Sequence, residues 1–163
     1  MSTTTKTAGS AKLTKPTDRT IQVERIFNAS RERVWKAYTD PQLLAQWWGR
    51  GNKLVIERYE LERGGHYRFV EHGDDGSHWG FEGRYREVTP MERLSMTFEW
   101  DGMPGYPAVS TAEFVDLGDG RTKVISTMQF YTPEERDGIL QSGMESGMNE
   151  SYAALDALLA RMK

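Results

Sequence analysis

The chain has 163 residues, 37% of them apolar and 28% charged, with 5 Trp, 7 Tyr and 6 Phe, the composition of one folded domain rather than of a disordered or two-domain protein. Cysteine is absent, which excludes disulfide scaffolds, cysteine-ligated metals, thiol nucleophiles and thiol redox switches together. Residues 1 to 20 hold Lys6, Lys12, Lys15 and Arg19 against Asp18, a net +3 that leaves −6 for the rest of a chain totalling −3, and an acidic folded part argues against nucleic acid as a partner.

Residues 1–19, rich in Ser, Thr, Ala and Lys without periodicity, read as a disordered leader, and residues 20–163 as a single domain. The first residues lack the apolar core of a signal peptide, and no apolar run is long enough to span a membrane, so a cytoplasmic protein is expected. From Thr20 the pattern alternates, with Ile21, Val23 and Phe27 on one face of a strand ending near Asn28. Two short helices follow. Ser30 caps a segment containing Val34, Trp35 and Tyr38, and Asp40-Pro41 starts a second over Leu43 to Trp48. Gly49-Arg50-Gly51 breaks the chain.

Alternating segments then run over 54–62, 66–72, 78–88, 93–100, 107–116 and 121–131, joined by short Gly-, Asp- and Pro-bearing turns. Short connections make neighbouring strands antiparallel, so these segments predict a meander. Thr132-Pro133-Glu134-Glu135 combines a capping box with a proline at the first helical position and opens one long helix to Met162. Its apolar stripe needs a partner, and the curved sheet supplies one. The expected fold is α+β: an antiparallel sheet of about seven strands gripping a long C-terminal helix, with a cavity where the curved and straight surfaces part.

Alternation sorts the inner face strand by strand. It puts Val55, Tyr59 and Leu61 inward, then Tyr67 and Phe69, then Trp79, Phe81, Gly83 and Tyr85, and then Leu94, Met96, Phe98 and Trp100. In the last strand Val124, Ser126, Met128 and Phe130 face in, while 107–116 offers two competing parities. Three charges fall on this face: Arg25, Glu57 and Glu71. Either they pair with one another or reach solvent at the sheet ends, or Arg25, a fixed planar donor, orients an anionic or carbonyl ligand in an aromatic pocket. The aromatics and methionines likewise read either as plain core or as the soft wall of a site for flat apolar ligands. The residues that would line such a site are Arg25, Tyr67, Phe69, Trp79, Tyr85, Phe98, Trp100, Met128, Met144, Met148 and Tyr152.

No nucleophile elbow, zinc-protease motif, phosphate loop or dinucleotide fingerprint occurs. No catalytic residue, cofactor or metal is therefore assigned. His72, Asp74, Asp75 and His78 cluster at one hairpin turn, but their spacing matches no defined metal site, and His66 reads as a surface residue.

The segments Val34-Trp35-Lys36-Ala37-Tyr38-Thr39-Asp40-Pro41, Trp47-Trp48-Gly49, Gly64-Gly65-His66-Tyr67-Arg68, Val88-Thr89-Pro90 and Trp100 resemble, in this order, the START-like (SRPBCC) superfamily. Within it the chain is similar to bacterial homologues of the heat-shock ATPase activator over about residues 20 to 162. The resemblance implies the helix-grip fold and a hydrophobic cavity that many members use for lipids, polyketides or other apolar molecules. The sequence departs from the common pattern at Glu62-Arg63, where members often carry Arg-Pro, and at Met148, where many carry Trp. The expected function is binding of a small hydrophobic molecule. A chaperone-associated regulator and a cofactor-independent enzyme on a hydrophobic substrate are the alternatives.

Overall fold

A computed structural model of the chain describes residues 11–162. The fold begins with a short strand β1 (Ala11–Thr14), followed by β2 (Thr20–Phe27), helices α1 (Arg31–Thr39) and α2 (Pro41–Leu44), and then the meander. Its strands are β3 (Lys53–Tyr59), β4 (His66–His72), β5 (His78–Thr89), β6 (Arg93–Trp100), β7 (Ala108–Asp116) and β8 (Thr122–Gln129). Helices α3 (Pro133–Gln141) and α4 (Met144–Arg161) complete the chain. The strands form one antiparallel sheet in the order β1-β2-β8-β7-β6-β5-β4-β3. The last strand pairs with β2, so the helices between β2 and β3 and those after β8 lie over the same face. The architecture is the expected α+β helix-grip, with eight strands rather than about seven.

The extra strand corrects the reading of the leader. Ala11 to Thr14 pair with Arg25 to Gln22, so ordered structure begins well before residue 20. Its Ala-Lys-Leu-Thr sequence has no apolar repeat to announce it, and the unpaired edge of β2 supplies the hydrogen bonds. Residues 1–10 of the leader lie outside the described residues.

The C-terminal helix is also not continuous. The Thr132 side chain accepts from the Glu135 amide as the capping box requires, but α3 stops at Gln141. Gly143 then adopts φ +86°, a left-handed conformation that only glycine takes without strain, and α4 starts anew at Met144. The expected helix over 133–162 is therefore two helices with a corner between them.

The inner face follows the alternation nearly throughout. Arg25 faces Val124, Tyr67 faces Gly83, Tyr85 faces Met96 and Met96 faces Ser110, which settles the open parity of β7 on Ala108, Ser110, Ala112 and Phe114. β5 has a register shift after Tyr85, and the exception to the expected inner face is β3. A bulge between Ile56 and Arg58 shifts its register, so Leu54 and Ile56 pack inward in place of Val55, while Glu57 turns out to solvent. Core packing concentrates at the two flanks. Phe27, Val34, Phe114, Val124, Leu155 and Leu159 form one part, with Trp35 and Tyr38 meeting the Phe114 ring edge-on at 5.2 and 5.1 Å. Tyr59, Tyr67, Phe69 and Tyr85 form the other.

Candidate functional site

Between those flanks the inner face is covered by α3 and α4 yet incompletely packed. Phe81, Met96, Phe98, Ser110, Ala112, Ser126 and Met128 all face in from the central strands, and all are only half-buried. A side chain in the middle of a covered sheet keeps accessible surface only where the layers stand apart, because a close-packed interior leaves no room for water. The sheet side of this stretch carries the small residues Ser110, Ala112 and Ser126. The half-buried Leu140, Met144 and Met148 lie on the helix side. Trp48, brought in by the turn after α2, closes one end by packing against Phe69, Phe81 and Phe98 at 5.4, 5.3 and 6.4 Å.

The expected site residues separate into four groups. Phe98, Met128, Met144 and Met148 are half-buried, the first two on the inner face of the sheet and the other two on α4. Phe98 stacks on Phe81 at 5.2 Å, and the methionines offer a polarisable, adaptable wall. Trp79 and Trp100 lie half-buried towards the far end of the sheet, Trp100 opposite Phe81 and Trp79 opposite Glu71. Tyr67, Phe69 and Tyr85 are instead fully buried in the packed flank. There the Tyr67 hydroxyl donates to the Thr97 carbonyl at 2.7 Å, and that of Tyr59 donates to the Thr39 carbonyl. Tyr85 hydrogen-bonds Tyr59 in turn. Burial pushes the phenols of Tyr67 and Tyr85 far above their ordinary range and that of Tyr59 up to about 12, so these hydroxyls stay neutral and structural.

Arg25 and Tyr152 meet at the other flank. The Arg25 guanidinium is 6% exposed, packs on the rings of Phe27 and Tyr152 at 4.7 and 5.1 Å, and donates to both carboxylate oxygens of Asp156 at 2.9 and 2.7 Å. Its partner is thus Asp156 of α4, and not Glu57 or Glu71. Glu57 pairs with Arg68 on the outer face at 3.1 Å. Glu71 is buried and accepts from Arg50 Nε and Nη2 at 3.1 and 2.8 Å and from Asn52 Nδ2 at 3.2 Å. The Tyr152 ring meets Phe27 edge-on at 5.6 Å, and its hydroxyl interacts with Ser126 and Tyr38. Burial raises the pKa of both Tyr152 and Tyr38.

Sequence reasoning missed Arg50, Asn52 and Asp156. Arg50 sits in the Gly49-Arg50-Gly51 break, read only as a terminator, at φ +56°. Its side chain crosses α4 at Gly147, where an added Cβ would lie 2.5 Å from Arg50 Cδ, so the glycine permits the crossing. The available signal was an arginine held between two glycines. Asp156 had a signal too, one helical turn beyond Tyr152 on the same face.

At the β4–β5 hairpin the His72 and His78 rings lie 4.4 Å apart, and among the described residues no three His, Asp or Glu come together to hold a metal ion. His66 contacts Glu82 at 3.0 Å on the outer face. Beyond the end of the sheet, Gly105, Tyr106, Pro107 and Tyr131 line an open pocket of about 410 Å³, with Tyr106 55% and Tyr131 75% exposed. No helix among the described residues is long and apolar enough to cross a membrane.

Solved structures share this architecture. A protein of Rhodobacter sphaeroides is 28% identical with a TM-score of 0.86, covering 94% of this chain and 100% of its own. One of Chromobacterium violaceum is 27% identical at a TM-score of 0.75, over 88% of this chain and 99% of its own. A Mycobacterium smegmatis protein, 22% identical with a TM-score of 0.80, covers 93% of this chain and 98% of its own and shows the fold alone. No curated protein matches. The family model described as activator of Hsp90 ATPase homolog 1-like protein matches residues 28–160, and the chain belongs to that family.

Proposed function

We propose that the chain binds a small hydrophobic molecule between the central strands and the α3–α4 roof. The observation that carries this reading is the half-buried inner face of the central strands, where Met96, Ser110, Ser126 and Met128 keep accessible surface beneath helices. Apolar walls with a few hydroxyls are the usual lining of a small-molecule site. Its test is titration with the neutral dye N-phenyl-1-naphthylamine. Saturable binding of about one dye per chain, with quenching of tryptophan emission through Trp48, is expected. Met148→Trp should fill space and weaken binding while the far-UV circular dichroism stays native. Absence of saturable binding to the folded protein overturns the reading.

A chaperone-associated role is the second reading, favoured by the family and by the exposed Tyr106 and Tyr131 around the open pocket. Exposed apolar surface of this kind marks sites of protein contact. If it serves a chaperone, the double variant Tyr106→Ser, Tyr131→Ser should lose any stimulation of a heat-shock chaperone's ATPase rate while dye binding is retained. Equal stimulation by both proteins would remove this second role.

A further inference from the structure

We infer that the site accepts uncharged ligands and discriminates against ionised ones of the same carbon skeleton, because the protein has already neutralised the charges on the site's two flanks. The inference rests on the cavity reading above and specifies its ligand class. Among the described residues, two charged side chains are buried on the inner face once the β3 bulge has turned Glu57 outward: Arg25 and Glu71. Each is paired from within. Arg25 gives both arms of its guanidinium to Asp156, so an internal carboxylate stands where an acidic ligand would bind, and the rings of Phe27 and Tyr152 cover it. Glu71 is met by Arg50 and Asn52, and so offers no unmatched anion to a cationic ligand.

What remains along the space is apolar or hydroxylic. Met96, Met128 and Met148 supply polarisable surface, and Ser110 and Ser126 supply hydroxyls able to meet a carbonyl or alcohol. The Tyr152 phenol, kept neutral by burial, is already engaged by Ser126 and Tyr38. An ion entering this space would shed its water without gaining a countercharge, while a neutral molecule would lose little.

Two dyes that differ by a single sulfonate test this. N-phenyl-1-naphthylamine should bind at least about tenfold more tightly than 8-anilinonaphthalene-1-sulfonate in parallel fluorescence titrations. Placing a cation in the lining with Ser110→Lys should narrow or invert the order. If that variant does not fold, Met148→Lys on the helix side makes the same change. Equal or tighter binding of the sulfonate by the unaltered chain, or an unchanged ratio in a folded lysine variant, overturns the inference while leaving the cavity reading intact. Failure of both dyes to bind overturns the cavity reading, and this inference with it.

Discussion

Along β4, Tyr67 and Phe69 are 0% and 3% exposed, whereas on β7 and β8, beneath the same helical layer, Ser110, Ser126 and Met128 keep accessible surface. The packed region uses rigid aromatic rings whose hydroxyls are tied to backbone carbonyls, Tyr67 to Thr97 and Tyr59 to Thr39. The open region uses flexible thioethers and short side chains with little to lock them. Rings meeting at 4.8 to 6.2 Å tie β3, β4 and β5 together. Stability and adaptability are thus assigned to different stretches of one sheet.

The largest test of that division is a pair of truncations. Phe69→Ala should cost about 3–5 kcal/mol in urea denaturation, because the ring is enclosed by Trp48, Tyr59 and Tyr67 and the void cannot collapse. Met128→Ala, beside existing space, should cost about 1 kcal/mol, well under the usual figure for a buried methionine. Similar costs at the two positions would mean that the central strands are packed like the flank.

A smaller effect sharpens the comparison through pH. Tyr59→Phe removes the hydroxyl that donates to Thr39 and interacts with Tyr85, at a cost of about 1 kcal/mol near neutrality. The folded pKa of Tyr59 is raised from 10.0 to about 12, chiefly by burial, so the native state keeps its proton longer than the unfolded chain does. Its contribution is complete below about pH 10 and is lost as pH rises from there towards 12. Urea midpoints of wild type and variant should therefore converge between pH 9 and about pH 12. A constant gap across that range would show that the phenol is as hydrated as in the unfolded chain.

Much of this architecture was legible in the sequence, because alternation reports the inner face directly wherever strands are regular. Tyr67, Phe69, Tyr85, Phe98 and Met128 all face inward as read. The bulge after Ile56 was not legible, since one inserted residue reverses every later side chain of a strand and Val55-Ile56 is apolar in both registers. Nor was the corner at Gly143. Gly138 and Gly147 lie within helices, and only the backbone angle distinguishes Gly143 from them. The partner of Arg25 was hidden for another reason. Asp156 lies 131 residues away on a different kind of element, and strand parity carries no information about which helical carboxylate will arrive. Of the expected lining, alternation placed Phe98 and Met128 on the inner face, but it could not separate half-buried rings from rings that fill the core.

The four residues of β1 carry a consequence for solubility. An open sheet has two outer strands whose free amides and carbonyls can template another chain, and natural proteins keep such borders short and charged. β1 is four residues long and bears Lys12, whereas β2 behind it presents eight residues rich in β-branched side chains. β1 thus acts as a sacrificial border, substituting a brief, cationic rim for a long and sticky one, and its loss would turn β2 into a ready acceptor for a strand from a second molecule.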